Sequence, residues 1–289
     1  MRFDPDNKRI FVRQSWLGDA LICPQRSRYA LTMPTMRRGS DATAIGTGLH
    51  GVIEGYLTGA ITDKDEFISA ARTRVLLELE RDIKLTGLTD DMEKMNACVE
   101  SMATAWWETI RPNVPLGGLV EHKFQAPLNV VASNGYGVWL EGTIDYVAPD
   151  GVLWDWKTSG RTYYAKDKQS QSHQATCYIT ACRELGLIPD NEEPSLFRFG
   201  VMVRQPSPKA QVVTVSRGPD QVNWFRRQVA SIVNTVVPAW GQSDWVMNDQ
   251  HNLCSSKWCD YWSVCKGAHW RETDFVLPVQ DVDTPQPTE

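Results

Sequence analysis

The stretch that decides the fold is Gly142-Thr143-Ile144-Asp145-Tyr146-Val147-Ala148-Pro149-Asp150-Gly151-Val152-Leu153-Trp154-Asp155-Trp156-Lys157-Thr158. Val138, Leu140, Ile144 and Tyr146 fall on even positions, the period of a strand with one face in a core. Ala148-Pro149-Asp150-Gly151 holds the residues of a tight turn, and Val152 to Thr158 forms the next strand. Its Val152, Leu153, Trp154 and Trp156 are large and apolar, so it is expected to be buried on both faces, where a charge needs a reason. Asp155 and Lys157 lie two apart and share a face. The turn sets Asp145 nearly opposite Asp155, at a cross-strand distance of roughly 5 Å. Two carboxylates that close repel unless a cation lies between them. Hard divalent cations prefer oxygen ligands, so Mg²⁺ or Mn²⁺ is expected there, with Lys157 placed to orient a water or a phosphate. Taken alone, these three residues also fit a surface hairpin with an Asp–Lys ion pair; the apolar flanks weigh against it.

Working outward, Val120, Phe124, Ala126, Leu128 and Val130 mark a strand before this pair, with Ser133-Asn134-Gly135 as its turn. Upstream, Gly46–Gly59 reads as a helix with Leu49, Val52, Ile53 and Leu57 inward. A second helix runs from about Asp63 to Lys84, with Phe67, Ala71, Val75 and Leu79 at spacing four, broken at Thr86-Gly87. A third begins near Asp90, with Met92, Met95, Val99, Met102 and Trp106 inward, and stops before Pro112. Downstream come a helix over about Lys168–Leu185, strands over Leu196–Arg204 and Ala210–Val215, and a helix over Asp220–Val237. Helices, three strands, a helix, strands and a helix make an α/β (α+β) layout, a mixed central sheet flanked by helices.

The 289 residues, 42% hydrophobic, suffice for a packed core and exclude disorder along the whole chain. No run approaches the ~20 apolar residues of a membrane span, and Met1–Val12 is not a signal peptide. Seven cysteines, an odd number unevenly placed, argue against a secreted disulfide scaffold. The expectation is therefore a cytoplasmic protein, or one of the host cytoplasm if viral. A net charge of −5 argues against coating nucleic acid by bulk charge, though a local basic groove remains open.

Gly142-Thr143-Ile144-Asp145 followed by Asp155-Trp156-Lys157-Thr158 resembles the PD-(D/E)XK nuclease core, in the RecB-like branch that includes CRISPR-associated and phage recombination exonucleases. Gly46-Thr47-Gly48-Leu49-His50 with Glu54 resembles that branch's G-T-x-x-H-x-x-x-E helix. Gln174-Ala175-Thr176-Cys177-Tyr178 resembles its Q-x-x-x-Y helix, and Ser15 to Arg26, ending Cys23-Pro24-Gln25-Arg26, its opening S-x(n)-C-P-x-R segment. These matches occur in the family's order. Asp155 stands where many relatives have Glu. The resemblance implies a restriction-endonuclease-like fold and a metal site of His50, Asp145, Asp155 and the Trp156 carbonyl. Lys157, Gln174 and Tyr178 join Asp145 and Asp155 as catalytic residues. Glu54, one helical turn from His50, and Glu121, on the first strand, are expected to support the ligands from behind.

Cys254, Cys259 and Cys265 follow a C-x4-C-x5-C spacing among Trp258, Tyr261, Trp262 and Trp270. RecB-like enzymes hold a [4Fe-4S] cluster with one N-terminal and three C-terminal cysteines, so the resemblance implies that Cys23 completes such a cluster and ties the two ends together. Four thiolates also fit Zn²⁺, although the paired C-x2-C of zinc ribbons is missing. Cys98, Cys177 and Cys182 are expected as buried small apolar residues. Arg26, Arg28, Arg37 and Arg38 are candidates for DNA binding.

The expectation is one composite domain over 1–272, with a core of about 40–240, a cysteine module of Cys23 plus 251–268, and a flexible tail over 273–289. Its function would be that of a metal-dependent DNA exonuclease in recombination, repair or phage DNA processing. DNA with a single-stranded end is the expected partner, beside a recombination protein or a second copy of the chain. An endonuclease, a non-catalytic DNA-binding or scaffold subunit, and an electron-transfer protein are the rival readings.

Overall fold

The computed structural model describes residues 1–37, 39–81, 87 and 90–270. The chain opens with strands β1 (Arg2–Asp4) and β2 (Arg9–Val12), then helices α1 (Gln14–Ile22), α2 (Pro24–Thr32), α3 (Asp41–Leu57), α4 (Lys64–Leu79) and α5 (Met92–Ala105). Strands β3 (Leu119–Val131), β4 (Gly137–Val147) and β5 (Leu153–Ser159) follow. After them come α6 (Ala165–Gln171), α7 (His173–Glu184), β6 (Ser195–Val203), β7 (Ala210–Arg217), α8 (Pro219–Val236) and α9 (Lys266–His269). The chain divides into two compact units, Met1–Met247 and a second from Asn248 onward.

Local chemistry sets several of these boundaries. Ser40, Asp63 and Asp91 precede α3, α4 and α5, and each accepts a backbone N–H of the first turn, from Thr43, Glu66 and Lys94; such a cap contributes about 1 kcal/mol. Ser172 does the same for α7 through the Ala175 N–H. That cap explains why the segment expected as one helix over Lys168–Leu185 is two: Ser172 leaves the helical region, with φ −77° and ψ 95°, and starts α7 afresh. Strands β1 and β2 were not expected. Pro5-Asp6-Asn7 turns the chain there, and Ile10-Phe11-Val12, three buried residues, supplies the β-prone run.

Among the described residues the sheet has order β1-β2-β4-β5-β6-β7, with β3 paired to β4. Apolar side chains cover both faces. One core joins Leu140, Ile144, Leu153, Phe124 and Phe197 to Ala175 and Ile179 of α7 and Val229 of α8. The other joins Trp154, Trp156 and Tyr146 to Leu49, Phe67, Val75, Val99 and Trp106. β5, central and buried on both faces, is the strand read from its apolar residues. Glycine makes two close approaches possible. A Cβ on Gly48 would lie 2.8 Å from the Val75 backbone nitrogen, so α3 and α4 touch there. A Cβ on Gly200 would lie 2.7 Å from the Trp156 ring.

The sheet is interrupted where the chemistry lies. β3 pairs with β4 along its length. On the other edge of β4, β2 takes Gly137–Leu140 and β5 takes only Tyr146 and Val147. Glu141–Asp145 are left without a strand partner on that edge among the described residues.

The expected joining of the N- and C-terminal segments by a four-cysteine cluster is corrected. Among the described residues the ligating side chains that converge are His50, Glu121 and Asp145, and no cysteine belongs to such a group. Cys23 sits between α1 and α2 in the first unit, while Cys254, Cys259 and Cys265 fall in the second. Each of the last three closes a local turn, donating its N–H to His251, Ser255 and Trp262 respectively. Spacing along the chain does not by itself gather thiolates into a ligand set. The tail expected over 273–289 lies outside the described residues.

Candidate active site and metal centre

Along a regular strand, residues two apart face the same side. Ile144 and Tyr146 do not: Ile144 belongs to the core under α7, Tyr146 to the core under α3. On β3 the same reversal separates Phe124 from Val120. The residue that absorbs it is Glu121, in the left-handed region with φ 45°. For a non-glycine residue that conformation costs on the order of 1–2 kcal/mol, and such strain collects at functional sites. The reversal turns Glu121 and Asp145 towards the fork where β4 and β5 part.

At this fork the backbone is held by side chains. Beyond the pair Tyr146–Trp154 the ladder stops, and the Trp156 N–H donates to Asp145 Oδ2 at 2.8 Å. α3 brings His50 in from above. Its Nε2–H donates to the Trp156 carbonyl at 2.6 Å, and Nδ1 stands 3.4 Å from Asp145 Oδ2. Ligating atoms of His50, Glu121 and Asp145 lie within 4.8 Å of one another. Behind them Asp155, 2% exposed, has one carboxylate oxygen bonded by Gln174 Nε2 at 2.7 Å and the other 2.5 Å from Lys157 Nζ.

The electrostatics carry an unmet demand for positive charge. Burial, with repulsion from Asp155 second, raises Asp145 well above the usual carboxylate range. Burial, then the charges of Glu54 and Asp155, raises Glu121. Burial lowers His50, which favours a neutral imidazole. With Nε2 protonated against a carbonyl, Nδ1 turns a lone pair towards a carboxylate oxygen. Two acceptors facing each other repel unless a cation stands between them, and a ligating histidine commonly anchors its other N–H on a backbone carbonyl in this way. The nitrogen and carboxylate donors therefore fit a divalent ion such as Mn²⁺ or Mg²⁺. Burial alone would lower Lys157, but the attraction of Asp155 and Asp145 outweighs it and holds the ammonium charged.

The sequence profile of the PD-(D/E)XK nuclease superfamily matches residues 17–266. The chain belongs to that superfamily. An exonuclease-named protein of Eubacterium rectale has a similar fold, with TM-score 0.52 and 13% identity over 88% of this chain and 92% of that one. The protein SSO0001 aligns with TM-score 0.37 and 10% identity over 92% of this chain and 87% of that one. No curated protein matches the chain.

In this PD-(D/E)XK chain the residues picked from the sequence are distributed unevenly. His50, Asp145, Asp155, Trp156, Lys157 and Gln174 meet at the fork through the contacts above. Tyr178 adjoins them; burial, followed by the charge of Asp155, raises its hydroxyl. Asp155 stands beside the converging metal group rather than in it, with its oxygens facing Gln174 Nε2 and Lys157 Nζ. Glu121, placed behind the ligands by sequence reading, is inside the group. Its signal, a charge in the middle of a strand, was present but its left-handed backbone was not. Glu54 is exposed and reaches the site through its charge on Glu121. Sequence reading missed Lys168, whose ammonium lies 4.0 Å from the Tyr163 ring and whose proton affinity is lowered by burial and then by Lys157.

Three of the arginines proposed for DNA are engaged inside the first unit. Arg26 and Arg37 each pair with Asp19 at 2.9 Å, and Arg28 donates to the Gln242 carbonyl at 3.0 Å. Arg38 lies outside the described residues. The expected [4Fe-4S] cofactor on Cys23, Cys254, Cys259 and Cys265 is corrected: among the described residues the converging ligand set is one histidine and two carboxylates, with none of the thiolates that hold such a cluster. Cys177 and Cys182 are buried, and burial pushes the Cys182 thiol up to about 12, so they act as apolar filling; Cys98 is only half-buried. No helix among the described residues is long and apolar enough to cross a membrane.

Proposed function

We propose that this chain is a divalent-cation-dependent deoxyribonuclease of the RecB-like branch, acting as an exonuclease on DNA strands with a single-stranded end in recombination, repair or phage DNA processing. The observation that carries the reading is the meeting of His50, Glu121 and Asp145 within 4.8 Å beside the Asp155–Lys157 pair. His50, Glu121 and Asp145 would hold the ion, with Asp155 beside it and the Trp156 carbonyl holding the His50 ring from its other nitrogen. When bound, the cation supplies an activated water and neutralises charge on the attacked phosphate.

The remaining work falls to the chain's own groups. Lys157, kept protonated by its aspartate neighbours, donates to a non-bridging phosphate oxygen or holds the incoming water, and its charge opposes the negative charge that grows in the transition state. Gln174 fixes the Asp155 carboxylate through its amide N–H. His50 stays neutral and is oriented by the Trp156 carbonyl. Tyr178 keeps its proton at any physiological pH and offers a hydrogen bond to the DNA backbone. α7 carries Gln174 and Tyr178 on one face at spacing four, so a single helix sets both.

The test is cleavage of end-labelled linear and of circular DNA with Mn²⁺, Mg²⁺ or EDTA. Cation-dependent release of nucleotides from linear ends supports the proposal. Nicking of closed circles would make the chain an endonuclease. DNA binding without turnover under any cation would make it a scaffold and refute the proposal.

A further inference from the structure

The interruption in the sheet opens into a cleft of about 830 Å³, within the ~300–1,000 Å³ range of sites that take small ligands. Its walls are Arg13, Gln14 and Ser15 at the start of α1, Lys123 and Gln125 of β3, and Tyr178 of α7; Glu141–Thr143 of β4 form its floor. The floor is the edge of β4 that neither β2 nor β5 covers. Two of its features connect it to the fork. Tyr178 stands in its wall and feels the charges of Asp155 and Asp145. Thr143 is two residues from Asp145, a rise of about 6.8 Å along the strand, about one nucleotide's length.

The chemistry of the lining is selective. Arg13 is anchored by Glu141, whose Oε1 it meets at 3.0 Å, yet its side chain remains 67% exposed. A guanidinium has five N–H donors, so its contact with Glu141 leaves most of them uncommitted. Glu141 is shared with Arg2 at 2.9 Å, which fixes it in turn. Lys123 is exposed and makes no ion pair among the described residues. The lining also offers the hydroxyls of Ser15 and Thr143 and the amides of Gln14 and Gln125. Cations, hydroxyls and amides beside the rings of Phe124 and Tyr178, with the Glu141 carboxylate already paired to two arginines, suit a sugar–phosphate with its base; a purely apolar ligand would leave them unpaired.

We propose that this cleft seats the nucleotide next to the scissile phosphate on a single DNA strand, with Lys123 and Arg13 holding its phosphate and Tyr178 flanking its base. The inference rests on the nuclease reading above and adds its substrate path. Lys123 is here a binding residue, outside the metal site.

The test uses the full chain and its Lys123→Gln variant, with equal melting temperatures as the fold control. Two substrates are compared in Mn²⁺: a labelled oligothymidylate, which extends into the cleft, and bis(p-nitrophenyl) phosphate, which has no nucleoside to place there. The variant should lose about tenfold in kcat/KM on the oligonucleotide, through KM, and stay within about twofold on the small ester. In EDTA, fluorescence anisotropy over a salt series should show the slope of log K against log salt reduced by about 0.7, one phosphate contact on a single strand. Equal losses on both substrates, or an unchanged slope and affinity, overturn the inference. If the wild type cleaves neither substrate the nuclease reading fails, and the salt slope still decides the cleft.

Discussion

Replacing Asp145 by Asn should stabilise the metal-free protein and remove its response to metal. The carboxylate is buried beside Asp155 and its proton affinity is raised. A raised carboxylate pKa in the folded state means that folding favours the protonated form. Stability is therefore greatest at low pH and is lost as pH rises through the folded value, so above it the ionised group works against the fold. Asn keeps the oxygen that accepts the Trp156 N–H at 2.8 Å and removes the charge. In EDTA at pH 8 the variant should melt higher than the wild type, with the gap closing as pH falls. Metal should reverse the order. An ion present at about a hundred times its Kd stabilises the folded state by about 2.7 kcal/mol. At about 2–4 °C per kcal/mol for a chain of this class, the wild type should gain about 5–10 °C, and the variant little or none. Calorimetric scans of both proteins at several pH values, with EDTA and with Mn²⁺, make the comparison. A variant that melts below the wild type in EDTA at pH 8, or that gains as much from Mn²⁺, would refute the argument.

Other expectations follow from the same geometry. Lys157→Ala should cut cleavage by at least about 10²-fold while DNA binding and circular dichroism are retained; wild-type turnover would remove Lys157 from the mechanism. Gln174→Ala frees one oxygen of Asp155 and should lower kcat or metal affinity by about 10–100-fold, read in a Mn²⁺ titration of activity; an unchanged titration contradicts the positioning role. Gly48→Ala pushes a methyl group against the Val75 backbone, so urea unfolding should show a loss of about 1–3 kcal/mol, whereas an unchanged midpoint would mean that α3 and α4 are not in contact there.

Much of the fold was legible because strong periodic signals govern it. Phe67, Ala71 and Val75 gave α4 its buried face, and Val222, Phe225 and Val229 gave α8 its own. β1 and β2 escaped because three apolar residues, Ile10-Phe11-Val12, acquire meaning only against Gly137–Leu140, far along the chain. The break at Ser172 escaped because a polar residue inside a helical pattern reads equally as an exposed position and as a cap. At the site, the Asp145–Asp155 proximity followed from a hairpin and was readable. The inward turn of Glu121 was not, since it depends on one left-handed backbone angle that no side-chain pattern announces. The arginines after Cys23 show the reverse error: their charge was visible in the sequence, but Asp19, which neutralises two of them, becomes their partner only in three dimensions. For the cysteines, spacing matched an expectation that convergence in space does not support.

The proposed chemistry requires one divalent cation among His50, Glu121 and Asp145, with Asp155 beside it. Crystals soaked in Mn²⁺ and measured at the manganese edge test it most directly. An anomalous peak is expected at about 2.0–2.3 Å from a ring nitrogen of His50 and from carboxylate oxygens of Glu121 and Asp145. Peaks only elsewhere on the chain, with these three side chains closed on one another, would contradict it.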